Sequence, residues 1–334
     1  MSPSACLPHT PLAGRSAWTR ADLEADRNWV FEIAPAQAEE LAAAALHLAE
    51  VGRGAADLQP GDCLLPTLSL DMIRLLWREV ARGRGFAVVR GLDPARFGEA
   101  AALFHGLALQ LGRTVSQNRL GHRIGPVCDP SPGLHTDPGD VLGLLCLRRG
   151  AAISLVSAAS LFNALLQDRP ETLPVLARGF FFDRGEEGTP FQGPVSPRQP
   201  VLANVEGDLS ARYARRAIET AWQKLGEAPS AAEAAALEAW EEAAARPALR
   251  HLLQLAPGDV LLVNNYAVLH EAASAEAEPT RRPALLRLWL RIDGFRHLNP
   301  AQCDYDPETG WSRRDGVLPQ AGAAPQEGLL AAAE

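Results

Sequence analysis

Short apolar runs of strand length are separated along this chain by helical stretches of unequal length. Strand-length runs occur at 86–89, 141–147, 153–156, 260–263 and 284–292, and helical patterns occur at 35–48, 70–82, 92–111, 214–225 and 231–246. A doubly wound parallel sheet needs a regular alternation of strand and helix, which is missing here. The pattern instead favours an antiparallel barrel or sandwich with helices packed outside it.

The two ends of the chain differ in composition from the part between them. Residues 1–16 lack periodicity, and the tail from about Gly316 is rich in Ala, Gly, Gln and Pro. We therefore expect one domain over 17–315, with a loosely held tail at each end, 1–16 and 316–334. The Ala- and Glu-rich helix at 231–246 is predicted to be exposed.

Charge and hydropathy exclude several classes of partner. The formal net charge is −8 and the basic residues are scattered, so no basic stripe is present and nucleic acid is not an expected partner. The N-terminus has no cationic start followed by an apolar run, so we expect no signal peptide. No stretch approaches the roughly 18 unbroken apolar residues of a spanning helix, so we expect no membrane association.

The chain has five cysteines, an odd number without close pairs: Cys6, Cys63, Cys128, Cys146 and Cys303. This usage disfavours both a disulfide framework and a zinc ribbon, and it is typical of a reduced, cytoplasmic protein. Cys146 lies in an apolar run and is expected to be an unreactive core residue.

The segment Gly133-Leu134-His135-Thr136-Asp137-Pro138-Gly139 carries the strongest chemical signal. Residues two apart in a strand point to one face, so His135 and Asp137 can present an imidazole and a carboxylate to one ion. His270 is the third candidate ligand. Two histidines and one carboxylate form the facial triad of non-haem Fe(II) oxygenases, which leaves positions open for co-substrate and O2. Spacing alone also allows a hydrogen-bonded structural histidine.

Several segments, in order, resemble the taurine / 2,4-dichlorophenoxyacetate dioxygenase family over about residues 17–294. They are GRGFAVVRGL (83–92), LGHRIGPV (120–127), LHTDPGDVLGLLCL (134–147), LAPGDVLLVNNYAVLHEA (255–272) and LLRLWLR (285–291). The resemblance implies a double-stranded β-helix (jelly-roll) fold with packed outer helices, and Fe(II) held at its open end by His135, Asp137 and His270 as the catalytic metal site. It also implies 2-oxoglutarate as co-substrate, hydroxylation of a small molecule with O2, and a possible homo-oligomer.

One position departs from the family pattern. Family members bind 2-oxoglutarate with an arginine in an Arg-x-x-x-Arg string, of which Arg287 is the second arginine here and Pro283 replaces the first. Proline offers neither charge nor donor to a carboxylate. Arg281 and Arg282 directly precede it. Arg287 and Arg282 are therefore the candidate co-substrate residues.

Three interpretations stay open at this stage. The enzyme uses 2-oxoglutarate through a neighbouring arginine, or it is an Fe(II) oxidase or dioxygenase that takes electrons from its substrate, or it is a non-catalytic jelly-roll binding protein.

Further candidates carry weaker signals. Ser154 aligns with a residue that often assists the co-substrate carboxylate in the family, although a strand serine bonded to backbone is an equal alternative. Gln117 and Asn118 lie in a polar loop that faces substrate in relatives, and turn-forming roles are the alternative. Asp140 is expected to have a turn or capping role, and Arg291 to lie in solvent.

Overall fold

Two sheets lie at the centre of the computed structural model, which describes residues 7–127, 133–273 and 284–320. The strands are β1 (Val30–Glu32), β2 (Phe86–Arg90), β3 (Arg113–Val115), β4 (Ile124–Pro126), β5 (Val141–Cys146), β6 (Ala152–Ser157), β7 (Leu202–Val205), β8 (Asp208–Ala211), β9 (Arg250–Gln254), β10 (Val260–Asn264), β11 (Val268–Ala273) and β12 (Leu285–Arg291). The larger sheet has the order β1-β2-β10-β5-β12-β3, and β4 also pairs with β12. The smaller sheet has the order β11-β6-β9, and β7 and β8 form a separate hairpin.

Helices surround these sheets in the described residues. They are α1 (Arg20–Ala25), α2 (Pro35–Val51), α3 (Pro66–Leu75), α4 (Pro94–Phe97), α5 (Ala100–Leu111), α6 (Ala158–Asp168), α7 (Leu173–Arg178), α8 (Arg215–Leu225) and α9 (Ala231–Ala244), with a π-helical turn at Leu76–Ala81 and short 3₁₀ turns at Ala55–Asp57, Pro170–Thr172, Pro300–Cys303 and Arg313–Asp315. No helix within these residues is both long and apolar enough to cross a bilayer.

Alternation along the strands explains how the layers pack. On β12, Leu286, Leu288 and Leu290 face one way and join the cluster formed with helices α2, α3 and α5. Leu285 and Trp289 face the other way and join a cluster to which β6 and β9 of the smaller sheet also contribute. The two sheets therefore enclose one apolar core, and the candidate site lies within this layer.

The outer face of the smaller sheet is covered by the helices α6 to α9. Val156 of β6 and Leu269 of β11 form a second apolar cluster there with Leu237 and Trp240 of α9. The prediction that the helix at 231–246 is exposed was therefore wrong. Alanines on one side of α9 let it pack closely, while Glu238 and Glu242 lie on the exposed side. Composition alone does not distinguish a buried from an exposed helix of this kind.

Other predicted elements differ in detail. The helix expected over 92–111 is divided into α4 and α5, because Gly98 adopts a positive φ of 69° between them. Part of each predicted tail is packed: Leu12 exchanges two hydrogen bonds with Asn163, and Val317 is 3% exposed.

Candidate active site

A reciprocal pair of main-chain hydrogen bonds brings the two candidate histidines together. His135 N–H donates to the carbonyl of His270, and His270 N–H donates to the carbonyl of His135, both at 3.0 Å. Residues paired in this way place their side chains on the same face. The ring centroids are consequently 4.6 Å apart. His135 belongs to this isolated bridge and not to a longer strand, while His270 lies on β11.

The loop that follows His135 is held at several points so that Asp137 faces the same space. Asn265 accepts the Asp137 N–H at 3.3 Å and donates to the Pro138 carbonyl at 3.0 Å. Gly139 has a positive φ of 78°, and a Cβ there would lie 3.1 Å from the Leu290 carbonyl oxygen. Glycine thus allows the loop to lie directly against β12.

Trp289 of β12 supplies a further contact to the carboxylate. Its indole Nε1–H donates to Asp137 Oδ2 at 2.8 Å, and both side chains are almost completely buried. Since a carboxylate oxygen that accepts a charge-assisted hydrogen bond is held in one orientation, this contact fixes how Asp137 faces the histidines.

The donor atoms of His135, Asp137 and His270 all lie within 4.8 Å of one another. His135 Nε2 is 3.5 Å from Asp137 Oδ1, and His270 Nε2 is 3.8 Å from Asp137 Oδ2. His270 is 4% exposed, and neither of its ring nitrogens has a hydrogen-bond partner. Buried polar atoms without partners are costly, so this ring fits a role as a metal ligand.

The electrostatics of Asp137 and His270 also fit a cation. Burial raises the pKa of Asp137, but Arg287 and the two histidines outweigh it and hold that pKa well below its usual range. Burial and the neighbouring His135 lower the pKa of His270. Burial lowers the pKa of His135 too, but the hydrogen bond and the charge of Asp137, together with the Gly133 carbonyl, outweigh burial and raise that pKa overall. An ionised carboxylate and neutral imidazoles are the forms that bind metal.

Arg287 lies in the same small chamber, which has a volume of about 40 Å³. Its Nη1 is 3.6 Å from Asp137 Oδ2, and its guanidinium stacks on the Trp289 ring at 4.6 Å. Gln117 Oε1 accepts from Arg287 Nε at 2.6 Å, and Gln117 Nε2 donates to the Arg287 carbonyl at 2.8 Å. Arg281, Arg282 and Pro283 are outside the described residues.

A larger cleft of about 410 Å³ leads from the surface to His135 and Trp289. Gln117 lines it, whereas Asn118 does not. The Asn118 side chain bonds to the main-chain N–H of Leu120 and to the His122 ring, and so stabilises its own loop. The walls carry charges of both signs, from 183–187 on one side and 214–217 on the other.

Three other candidates lie away from the candidate metal ligands or are occupied by other partners. Ser154 is on the face of β6 opposite to Ile153, which lines the chamber, and its hydroxyl accepts from Arg250 at 3.1 Å. Arg314 binds both oxygens of Asp140, at 2.7 and 2.8 Å, and Asp140 is completely buried. Arg291 forms a partly buried ion pair with Asp315, although we expected it in solvent.

Sequence reasoning missed the contacts that hold this site from a distance. In the sequence, Trp289 and Asn265 stand out only as parts of the segments LLRLWLR and LAPGDVLLVNNYAVLHEA. Arg313 and Arg314, which contact the 136–140 loop, lie more than 170 positions away along the chain. No local pattern marks a contact over that separation.

Comparison with known proteins agrees with this arrangement. Residues 51–289 match the family model described as taurine catabolism dioxygenase TauD, TfdA family. FR-33289 synthase of Streptomyces rubellomurinus is 30% identical over 314 residues, which cover 86% of this chain and 92% of that protein. Taurine hydroxylase-like protein SAT17 of Stachybotrys chartarum is 27% identical, with 83% of this chain and 80% of that protein covered.

Solved structures show the same fold at lower identity. An asparagine oxygenase with Fe(II), 2S,3S-3-hydroxyasparagine and succinate has a TM-score of 0.60 and 20% identity, covering 79% of this chain and 94% of that one. The non-haem iron oxygenase OrfP with Fe and alpha-ketoglutaric acid has a TM-score of 0.55 and 18% identity, with coverages of 79% and 94%. The predicted double-stranded β-helix with outer helices is thereby confirmed.

Proposed function

Because this chain belongs to the taurine catabolism dioxygenase TauD, TfdA family, we propose that it is an Fe(II)- and 2-oxoglutarate-dependent dioxygenase that hydroxylates a small molecule. The observation that carries this proposal is the convergence of His135, Asp137 and His270 within 4.8 Å, in one chamber with the guanidinium of Arg287.

His135, Asp137 and His270 hold the iron in this proposal. Bound Fe(II) supplies the redox centre at which O2 is used, and three ligands on one side leave positions open for the two co-substrates. The protein keeps the ligands ready for the metal: Asn265 and Trp289 orient Asp137, and the bridge between the histidines fixes their separation.

Arg287 binds a carboxylate of 2-oxoglutarate in this proposal. A guanidinium can donate two parallel hydrogen bonds to a carboxylate. The chamber of about 40 Å³ has room for roughly three water molecules. We therefore expect Arg287 to move from Asp137 when the co-substrate binds. Support comes from the OrfP structure solved with alpha-ketoglutaric acid and from the asparagine oxygenase structure solved with succinate.

The interpretation without 2-oxoglutarate depended on Pro283, and no contact among the described residues favours it. Arg282 remains a second candidate at the sequence level only. Among the residues that the structure describes, the cation that lines the chamber is Arg287.

The substrate is a small molecule that enters through the 410 Å³ cleft. We assign Gln117 as a substrate-binding residue, since its side chain contacts Arg287 and lines the cleft. The neighbouring structures were solved with hydroxylated asparagine and hydroxylated arginine, which are molecules of suitable size for such a cleft.

The test is anaerobic titration of the Fe(II)-loaded protein with 2-oxoglutarate, following the weak visible charge-transfer band of the chelate. We expect a saturable band in the wild type, and weakened binding in Arg287→Gln with Fe(II) binding retained. Arg291→Gln is the matched control, because Arg291 lies on the same face of β12 but pairs with Asp315. Iron-loaded protein without a band, or equal binding in both variants, would refute the 2-oxoglutarate assignment.

The domain bounds, the cellular location and the oligomeric state are proposals as well. We propose a single domain over 17–315, a cytoplasmic location and a possible homo-oligomer. The free thiols of Cys63, Cys146 and Cys303 are compatible with a reducing compartment.

A further inference from the structure

The segment that contains Arg313 reaches back to the loop of the metal ligands. Arg313 is 5% exposed, and its Nη1 and Nη2 donate to the main-chain carbonyls of Asp137 and Thr136, each at 2.9 Å. The Arg313 carbonyl in turn accepts from Gly139 N–H at 3.3 Å. One buried guanidinium thus holds the main chain from which the Asp137 carboxylate projects.

The third contact of this guanidinium is with the wall of the cleft. Arg313 Nε donates to a carboxylate oxygen of Glu187 at 3.1 Å. Glu187 lines the cleft and its side chain is 26% exposed, so it is accessible from the side where a substrate would enter. Arg313 therefore connects the cleft wall to the backbone of Asp137 through two hydrogen bonds, one to Glu187 and one to the Asp137 carbonyl.

Charge makes Glu187 important to this arrangement. Arg212 is also buried, its Nη1 has no hydrogen-bond partner, and burial followed by the charge of Arg313 lowers its pKa to about 9. Glu187 acts in the opposite direction on that pKa. A buried cation without a carboxylate is strongly destabilising. Glu187 is thus the carboxylate that contacts Arg313, and its negative charge also partly offsets the positive charge of Arg212.

We propose that Arg313 is a positioning residue for Asp137, and that Glu187 holds Arg313 in place from the wall of the cleft. The inference rests on the proposed role of Asp137 as a metal ligand. Groups that orient metal ligands typically change metal affinity by tenfold to a hundredfold when they are removed. Arg313 acts on the main chain of the ligand and Trp289 on its carboxylate, so the two contacts fix different parts of the same residue.

The experiment compares Arg313→Gln with a matched control, Arg184→Gln. Arg184 is similarly buried and also donates to two main-chain carbonyls and one carboxylate, those of Gly193, Val195 and Asp304. None of these groups belongs to the metal-ligand loop. Fe(II) affinity is measured anaerobically by equilibrium dialysis, and unfolding of the metal-free proteins by denaturant. We expect both variants to be less stable, but only Arg313→Gln to bind Fe(II) about tenfold to a hundredfold more weakly.

Two further variants complete the test. Glu187→Gln keeps an acceptor but removes the charge, and we expect Fe(II) binding weakened by about tenfold, the lower end of such effects. This variant decides the question if Arg313→Gln does not fold. Arg313→Lys keeps a charge for Glu187 but cannot span both carbonyls, so we expect an intermediate affinity. Wild-type Fe(II) affinity in folded Arg313→Gln or in Glu187→Gln, or an equal loss in Arg184→Gln, would overturn the proposal.

Failure of the proposed function would look different. In that case the wild type would not bind Fe(II), or Asp137→Ala would bind it as the wild type does, whatever the result at Arg313.

Discussion

The hydrogen bond from Trp289 to Asp137 gives the sharpest prediction. Trp289→Phe removes the indole N–H that donates to Asp137 Oδ2 at 2.8 Å, while it leaves an aromatic face for Arg287. A hydrogen bond to a charged group contributes about 1.5–3 kcal/mol, so the metal-free variant should lose this much stability beyond the effect of the smaller ring. The carboxylate also loses its fixed orientation toward the two histidines.

The consequence for iron follows from that loss of orientation. Removal of a partner that orients a ligand typically weakens metal binding by about tenfold to a hundredfold. At about 1.4 kcal/mol per factor of ten, this is about 1.4–2.8 kcal/mol of binding free energy.

Trp29→Phe is the matched control for this substitution. Trp29 is 4% exposed, as Trp289 is, and its buried Nε1 has no hydrogen-bond partner. Both variants lose the same ring volume, but only one loses a hydrogen bond. Fe(II) affinity is measured by anaerobic equilibrium dialysis, and stability by denaturant unfolding. Equal Fe(II) dissociation constants for the two variants would refute the reasoning.

Three further predictions concern the ligand, its loop and the thiols. Asp137→Ala should lose saturable Fe(II) binding in the same dialysis. Because the pKa of Asp137 is held well below its usual range, the metal-free wild type should lose more stability than this variant as pH falls below about 4, in unfolding measured across acid pH. Gly139→Ala places a Cβ 3.1 Å from the Leu290 carbonyl oxygen at a residue with φ 78°. We therefore expect about 1–3 kcal/mol of destabilisation and weaker Fe(II) binding. Wild-type stability together with wild-type Fe(II) affinity would contradict the role assigned to this turn. Burial raises the pKa values of Cys63, Cys146 and Cys303 to about 11. In a variant with the other two cysteines changed to serine, a thiol reagent near pH 8 should therefore label the protein only after unfolding. Rapid labelling of the native protein would contradict the burial of these thiols.

The sequence was sufficient to predict the ligand set as a hypothesis, because two of its members are close neighbours. His135 and Asp137 are two residues apart, and their side chains face the same space even though they lie in a bridged loop and not in a strand. Ser154 was less predictable. The Ser154 hydroxyl faces Arg250 because Ile153 takes the inward position on β6. A shift of one residue in the pairing of β6 would have turned Ser154 inward and Ile153 outward.

Contacts between distant parts of the chain account for most of what could not be predicted. The carbonyls that Arg313 binds belong to a loop 176 residues earlier, and its surroundings in sequence resemble an ordinary polar turn. The burial of α9 was missed for a related reason. A row of alanines is compatible with solvent or with a close helix contact, and only the neighbouring α6 and α7 decide between them.

The identity of the cation near the metal ligands depends on strand register. On β12, Leu285, Arg287 and Trp289 face the interior between the sheets, while Leu286 and Leu288 pack against the outer helices. The pairing of Arg287 with Leu144 of β5 fixes this alternation, and a slip of one residue would turn the guanidinium away from Asp137. Among the described residues, the arginine that faces the candidate metal ligands is therefore Arg287, and the pairing of β12 selects it.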